Sequence, residues 1–463
     1  MAPPRVILFI CDGLRPDRID PQRTPTLWRL RQQSFRYPHA RTVFPSETRV
    51  AAASLVTGAL PGAHGIVAND FFDPSIFPDR PVATADADDL LAVARSRGRL
   101  LARRTLAERI LAQGLRYAVV STASAGTSRL IAEGARGPGA FVWSRHPGIE
   151  TPGAMAAAEA KFGPVPAAAL PRRDEIAHAA RIFVELALDS FRADLAVFWS
   201  GEPDYSYHYS AIGAPPASAA EAAADDALAT VLAWLVDTGE ARRTRLFVLS
   251  DHGHITGRQR LDARALLREA PVDDGLIVVP GTASLVYRRT HDARADARLA
   301  DWLAVQPWCD AVFSGTAWQD LGIAGHAPPS LVFSLRSDDA HDIRGIPGGG
   351  YFDCELQEGA GVHGGLHRRE LANVMMLRHP DGTPRGVSDL PAGLTDVAPT
   401  VAAILGLSGD GFDGRVLREA LGQPPNDADE TPQRDLLQPF RARNGLRLAR
   451  THFDGRAYLD GLV

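Results

Sequence analysis

Six residues of this chain carry side chains of the two types that most often bind divalent metal ions without sulfur. They are Asp12, Asp204, His208, Asp251, His252 and His363. Carboxylate oxygens and imidazole nitrogens suit zinc or a similar divalent ion, and no cysteine thiolate belongs to the group. A group of this composition is typical of a hydrolase site that holds two metal ions.

The three carboxylates of this group each come soon after a short apolar run that ends near Gly or Pro. Such runs are typical of buried parallel strands. In open α/β sheets, ligands bind in the crevice at the carboxyl ends of the strands, so we expect the three side chains to meet at one edge of a sheet. The runs and the carboxylates that follow them are 6–10 with Asp12, 195–199 with Asp204, and 246–249 with Asp251.

Helical patterns alternate with these strands along the chain. The alternation predicts an α/β fold with a mostly parallel central sheet and helices on both faces. A strand-like stretch is also expected at 36–44. The helix that begins at Thr48 is expected to stop at Gly58, because glycine tolerates the backbone conformation that ends helices. The predicted helices span residues 24–33, 48–57, 105–115, 174–190, 217–238 and 394–407.

The chain of 463 residues is longer than the usual limit for a single core, which is about 250–300 residues. Between 257 and 360 the pattern changes to several strand-like runs around one helix at 293–304. We therefore expect a catalytic domain made of residues 1–256 and 361–463, and a smaller inserted α+β cap at 257–360.

The overall charge excludes one class of partner. Lys+Arg number 50 against Asp+Glu 55, for a formal net charge of -5, so no basic field for polynucleotide binding is expected. No apolar run approaches the ~20 residues that span a bilayer, and no membrane partner is expected. Three scattered cysteines and an N-terminus without signal-peptide character predict a cytoplasmic location. The sequence does not predict an oligomeric state.

Five short motifs occur in an order that resembles a known family. The chain is similar to type I phosphodiesterases and nucleotide pyrophosphatases, a branch of the alkaline-phosphatase superfamily, from Val6 to about Leu407. Any one motif alone would be weak, but the five together are specific. The motifs are Asp12-Gly13, Thr48 before Val56-Thr57-Gly58, Asp204 with His208, Asp251-His252-Gly253, and Gly361-Val362-His363-Gly364.

The resemblance implies a phosphoric ester hydrolase with two divalent ions, zinc being expected and manganese the alternative. It makes Thr48 the nucleophile, which forms a covalent phosphothreonine with a small-molecule phosphoryl substrate, and Asn69 a donor to a phosphoryl oxygen. A helix N-terminus at Thr48 would add backbone N–H groups beside the anionic transition state. One ion would be held by Asp204, His208 and His363, and the other by Asp12, Asp251, His252 and Thr48.

Arg49 departs from the resemblance, because the residue after the nucleophile is usually an aromatic that stacks on a base. A guanidinium could instead bind a carboxylate or second phosphate of the substrate. Arg49 thus supports an alternative, a carbon–phosphorus hydrolase similar to phosphonoacetate hydrolase. Sulfatases are disfavoured, because Thr48-Arg49-Val50-Ala51 lacks their Cys/Ser-x-Pro-x-Arg motif.

Ordinary structural roles explain each residue singly. Thr48 could be a helix-capping residue, and His208 a solvated histidine. An alternative of another class is a metal-stabilised binding protein without turnover, which predicts a broken ligand set or a missing nucleophile. The sequence has neither defect. His64, His254 and His367 lie near the motifs, and supporting or structural roles are expected for them.

Overall fold

The computed structural model describes residues 3–272, 275–380, 386–426 and 430–463. Within these ranges, one large sheet of eight strands crosses the molecule. The strand Met375–Arg378 is antiparallel to both of its neighbours, and the other pairings in this sheet are parallel. In spatial order the strands are Gly386–Val387, Phe35–Arg36, Met375–Arg378, Thr244–Leu249, Arg5–Cys11, Leu195–Ser200, Tyr117–Ser121 and Ala140–Ser144.

Helices cover both faces of this sheet. Along the central strand Arg5–Cys11, side chains alternate between two separate hydrophobic cores, as the period of a strand requires. Each fully buried large apolar side chain contributes about 1.5–3 kcal/mol to folding. One core takes in the helices Thr48–Thr57, Ala87–Arg97 and Val397–Leu405, and the other takes in Pro25–Gln33, Arg173–Ile182 and Pro215–Asp237.

The structure confirms the predicted α/β class, with local differences. The stretch expected as one strand at 36–44 contains only the two-residue strands Phe35–Arg36 and Ala40–Arg41, since Pro38 between them cannot donate to a ladder. The helix expected at 174–190 continues beyond Ile182 as a π-helix, Phe183–Ser190. Further α-helices span Pro61–His64, Leu106–Ala112, Ala125–Ile131, Ala154–Phe162, Asp204–Ser210, Ala263–Leu267, Ala293–Ala304 and Arg368–Leu371.

The segment expected to form a cap builds most of a five-stranded antiparallel sheet. Leu285 and Val332 on one face of this sheet join a core of the central sheet, whereas Val286 and Phe333 on the other face pack with the helix Ala293–Ala304. The division of the chain into 1–256 with 361–463 and 257–360 stays a prediction. The strands, in spatial order, are Leu276–Val279, Ala283–Arg288, Leu331–Leu335, Cys309–Phe313 and Arg441–Ala442.

Smaller sheets complete the structure. Four strands in the order Ser337–His341, Pro347–Phe352, Ile255–Arg260 and Gly361–Val362 lie next to the central sheet edge. Three C-terminal strands follow as Gln433–Leu437, Leu448–Phe453 and Arg456–Leu462. Two further pairs are Ala40–Arg41 with Ala392–Gly393, and Asp70–Phe71 with Val82–Ala83. Within the described ranges, no helix combines the length and apolar character needed to cross a membrane.

Candidate functional site

The register of the three central strands brings the predicted carboxylates to one edge of the sheet. Ile10 lies opposite Trp199 on one side and Leu249 on the other, so the strands end at the same level. Just beyond this level, Asp12 N donates to Ser200 O at 3.0 Å, and the N–H of Asp204 donates to Asp12 O at 3.0 Å. The expected meeting of the three strand ends is therefore present.

The three carboxylates each present a buried oxygen that has no hydrogen-bond donor among the described residues. These atoms are Oδ1 of Asp12, Oδ1 of Asp204 and Oδ2 of Asp251. In Asp12 and Asp251 the other carboxylate oxygen accepts a hydrogen bond that fixes the side chain. Trp199 Nε1 donates to Asp12 Oδ2 and Gly13 N donates to Asp251 Oδ1, both at 2.9 Å. A buried carboxylate oxygen without a donor is costly unless a cation lies beside it.

Four histidine rings at this edge are held through the same nitrogen atom. The Nδ1 atom of each lies against a backbone carbonyl oxygen, which can only accept a hydrogen bond, so in a neutral ring Nδ1 carries the proton and Nε2 has a free lone pair. Metal-binding histidines in proteins are held in this way. The contacts are His208 with Gly361 at 2.7 Å, His252 with Gly253 at 3.0 Å, His254 with Gly13 at 3.0 Å, and His363 with Ser46 at 2.9 Å.

The first cluster surrounds Asp204. Its Oδ1 atom lies 3.3 Å from His208 Nε2, 3.0 Å from His254 Nε2 and 3.5 Å from His363 Nε2. The Nε2 atoms of His208 and His363 are themselves 3.3 Å apart. Lone pairs this close repel one another unless a cation separates them, so the arrangement fits a divalent ion.

The second cluster surrounds the side chain of His252. Its Nε2 atom lies 3.1 Å from Thr48 Oγ1, 3.3 Å from Asp251 Oδ2 and 3.7 Å from Asp12 Oδ1. Asp204 is close enough to offer an oxygen to this group as well. The structure thus brings together all seven residues for which metal contacts were predicted, with Asp204 close to both clusters and His254 added to the first. Their division between two ions stays a prediction.

The charges at the site are consistent with a cation. Burial raises the pKa of Asp12 well above its usual range, and the neighbouring carboxylates of Asp251 and Asp204 raise it further. Burial likewise raises the pKa of Asp251. A bound divalent ion would reverse these shifts, because it stabilises the ionised carboxylates. The donors, all oxygen or nitrogen, fit zinc or manganese.

Thr48 is the first residue of the helix Thr48–Thr57, and its side chain is buried beside His252. The first backbone N–H groups of a helix have no acceptor within it, so they can bind an anion. At the other end of the helix Gly58 has φ of 63°, as predicted for the residue that ends it.

Asn69 lies against the first turn of the same helix. Its Oδ1 accepts a hydrogen bond from Arg49 N at 3.1 Å, so the Nδ2 amide is the group left to donate to a ligand. Glu47 accepts from the backbone N–H of Asn69. Burial raises the pKa of Glu47 to about 7. The helix start and the Asn69 loop are thereby fixed to each other.

The Arg49 side chain is held at one point only. Its Nε donates to Thr84 Oγ1 at 2.9 Å, and within the described ranges the two terminal nitrogens have no hydrogen-bond partner. Burial raises the pKa of both Glu47 and Asp70, and the positive charge of Arg49 offsets part of each rise. The guanidinium is therefore placed to bind an anion, but its role in substrate binding stays a prediction.

Residues outside the predicted set also hold the site together. Ser46 Oγ accepts from Gly364 N at 3.1 Å and donates to Gly365 O at 2.9 Å, which fixes the loop that carries His363. Glu370 accepts from Gly365 N at 2.9 Å and from Thr282 Oγ1 at 2.7 Å. Nothing local in the sequence marks the contacts of Ser46 and Thr282, because they join segments far apart in the chain.

The three histidines expected in supporting roles differ from one another. His64 lies 2.9 Å from Ser54 Oγ through Nε2, and His367 caps the helix Arg368–Leu371 by accepting from Arg369 N. Both have structural partners, as expected. His254 instead belongs to the first cluster. Its position two residues after His252 is the feature of the sequence that could have indicated this.

Comparison with known proteins agrees with this geometry. Residues 6–307 match the family described as type I phosphodiesterase / nucleotide pyrophosphatase. A stretch of 69 residues is 41% identical to an uncharacterized pyrophosphatase/phosphodiesterase of Schizosaccharomyces pombe. That stretch spans 15% of this chain and 14% of the yeast protein.

Solved structures show the same fold at low sequence identity. Murine ectonucleotide pyrophosphatase / phosphodiesterase 5, an inactive variant in complex with AMP, has a TM-score of 0.65 at 14% identity, over 89% of this chain and 97% of that one. Phosphonoacetate hydrolase from Sinorhizobium meliloti, in complex with phosphonoformate, has a TM-score of 0.64 at 20% identity, over 87% and 95%. The chain belongs to the type I phosphodiesterase/nucleotide pyrophosphatase family of hydrolases.

Proposed function

We propose that this protein is a two-metal phosphoric ester hydrolase that acts through a covalent phosphothreonine intermediate. One observation carries the proposal: buried Thr48 begins a helix, and its hydroxyl lies 3.1 Å from His252 Nε2, which is itself 3.3 Å from a buried oxygen of Asp251 that lacks a donor among the described residues. A nucleophile, an anion-binding helix start and two sets of metal donors then share one site.

The proposed ligands divide into the two clusters. Asp204, His208 and His363 would hold one ion, and Asp12, Asp251, His252 and Thr48 the other. Zinc is the expected ion and manganese the alternative. When bound, the ions would lower the pKa of the Thr48 hydroxyl and stabilise the leaving oxygen.

The side chains of the protein account for the remaining steps. Thr48 Oγ1 forms a bond to phosphorus while the bond from phosphorus to the leaving oxygen breaks; the hydroxyl proton goes to solvent, and the leaving group takes one up. Asn69 Nδ2 and the N–H groups at the helix start donate to the phosphoryl oxygens. Water then cleaves the phosphothreonine, which restores the Thr48 hydroxyl and releases the phosphoryl product.

The proposed substrates are small phosphodiesters or pyrophosphates. The family match and the AMP complex of the murine relative support this class. A phosphonoacetate hydrolase-like activity on a carbon–phosphorus bond is the second candidate, and the free end of Arg49 favours it, because such a substrate carries a carboxylate. The intact donor set and Thr48 argue against a binding protein without turnover.

A substrate panel tests the proposal. The panel contains p-nitrophenyl mono- and diesters, dinucleotides and phosphonates, each assayed with added zinc and with added manganese. We expect metal-dependent turnover that is highest on a diester or pyrophosphate. Preferred turnover of a phosphonocarboxylate would select the second candidate. If protein that has bound two ions turns over none of these substrates, both candidate activities are contradicted.

Arg49→Ala should discriminate among substrates. If the guanidinium binds an anionic group of the substrate, its loss should lower kcat/KM for a substrate that has the group. The expected loss of transition-state stabilisation is about 1.5–3 kcal/mol, the usual contribution of a charged hydrogen bond. The matched comparison is a diester without that group, which should lose much less. Equal losses on the two substrates would refute the predicted role of Arg49.

We also propose a cytoplasmic location. Cys11, Cys309 and Cys354 are all free thiols, and two of them are buried, which supports a reducing compartment. Fractionation of the source cells with an antibody against the protein tests this. Recovery of most of the protein outside the cytoplasm would contradict the proposal.

A further inference from the structure

His254 belongs to the first cluster, although only a supporting role was expected for it. The side chain is fully buried on the loop that joins the strands Thr244–Leu249 and Ile255–Arg260. Its Nδ1 is 3.0 Å from Gly13 O, and its Nε2 is 3.0 Å from Asp204 Oδ1. Each nitrogen therefore lies at contact distance from an oxygen.

A neutral imidazole has a single N–H group, so His254 cannot donate a hydrogen bond to both oxygens. Gly13 O only accepts hydrogen bonds, so the single proton of neutral His254 is on Nδ1. The bare Nε2 then faces Asp204 Oδ1, and an ionised carboxylate also only accepts. Both atoms are buried, and neither has a hydrogen bond within the described part of the chain. Two acceptors 3.0 Å apart repel each other unless a cation lies between them.

We propose that His254 is a fourth protein ligand of the metal ion held by Asp204, His208 and His363. The proposal rests on the two-metal site of the proposed function. His254 presents Nε2 in the same way as the other two histidines, with Nδ1 fixed by a carbonyl. The donor atoms of all four side chains lie within 4.8 Å of one another.

Gly13 gives independent evidence that the ring must occupy this place. Gly13 has φ of +68°, and a Cβ atom built on it would lie 2.3 Å from His254 Cε1. Any side chain at residue 13 would therefore displace the imidazole from Asp204. The turn after the first strand thus provides space that the His254 ring fills.

The kind of fourth ligand would distinguish the two sites, because at this site it is an imidazole nitrogen and at the other it is the neutral hydroxyl of Thr48. Imidazole nitrogen is one of the usual ligands of zinc, whereas a neutral hydroxyl binds it weakly. We therefore expect the ion of the His254 cluster to be held more firmly than the ion beside Asp12 and Thr48. Stepwise treatment with a chelator should remove the ion beside Thr48 first.

The first test compares the variants His254→Gln and His64→Gln. Glutamine places an N–H donor near the Nε2 position, so it could donate a hydrogen bond to Asp204, as a merely supporting residue would, but it could not supply a nitrogen ligand. Zinc affinity of the more tightly held ion, measured by chelator competition, should fall by about 100-fold or more in His254→Gln. His64→Gln, an equally buried histidine outside the clusters, should keep the affinity of the parent. Affinity like that of the parent in His254→Gln would overturn the proposal.

The second test needs no variant and covers the case that His254→Gln does not fold. A crystal structure of the zinc-loaded parent, with anomalous diffraction at the zinc edge, would place the ions directly. We expect His254 Nε2 at about 2.0–2.1 Å from the ion near Asp204, the usual zinc–nitrogen distance. A zinc ion bound there with His254 only hydrogen-bonded to Asp204 would overturn this proposal alone. If the parent binds no zinc at either cluster, the two-metal proposal fails with it.

Discussion

Replacement of Thr48 by alanine is expected to lower kcat/KM by roughly 10³-fold or more, because the variant has no hydroxyl to attack phosphorus. Zinc content and Tm should stay close to those of the parent, since the carboxylates and histidines of both clusters remain. Steady-state kinetics on the best substrate of the panel, together with metal analysis of the same sample, measures both effects.

Two further variants make this result specific. Thr57→Ala is the same substitution in the same helix, and its hydroxyl only donates to Ala53 O, so turnover should be unchanged. Thr48→Ser keeps a nucleophilic hydroxyl and should retain part of the activity. Mass spectrometry of acid-quenched turnover should detect a phosphorylated peptide that contains Thr48. Turnover of Thr48→Ala at the rate of the parent would refute the mechanism.

The meeting of the three strand ends could be predicted because the signal there is local. Apolar runs that end at Gly or Pro mark buried parallel strands, and the carboxyl ends of such strands lie on one edge. Asp12 and Asp251 follow their strands directly, so no long-range information was needed to place them. The helix that begins at Thr48 was equally clear, with Gly58 as its end.

The finer contacts of the site could not be predicted, because they join distant segments. The place of His254 depends on its contacts with Gly13 and Asp204, and the support of His363 depends on Ser46. Sequence spacing alone cannot show which ring nitrogen faces a carboxylate. For His254, the adjacent motif was the only local indication of its position in the cluster.

The C-terminal region shows a different limit. No strand was predicted after residue 407, yet four strands form there, and three of them make one small sheet. Leu448 and Phe453 of this sheet are buried, and Arg450 forms ion pairs with Asp320 and Asp435. Few apolar residues are enough here, because the mostly buried guanidinium of Arg450 is paired with two carboxylates.

Asp204→Asn is expected to weaken zinc binding strongly at the first cluster and less strongly at the second. Asp204 Oδ1 lies within 3.5 Å of three histidine nitrogens, and it is also close to Asp12 and His252. The isosteric amide removes the negative charge that offsets a divalent cation among these nitrogens. Zinc affinity of the first cluster should fall by about 100-fold or more, and turnover should fall with it.

Thermal unfolding with and without zinc measures this loss independently of activity. At a zinc concentration of 100 times the Kd of one site, the parent gains about 2.7 kcal/mol, whereas a site weakened 100-fold gains only about 0.4 kcal/mol. Asp226→Asn is the matched control, because Asp226 is exposed and its one ion pair among the described residues is with Arg173 at 3.4 Å. His363→Ala should lose the stabilisation of the first ion alone, since its ring nitrogen belongs to one cluster. Zinc-dependent stabilisation in Asp204→Asn equal to that of the parent would mean that the orphaned carboxylate oxygens do not hold metal.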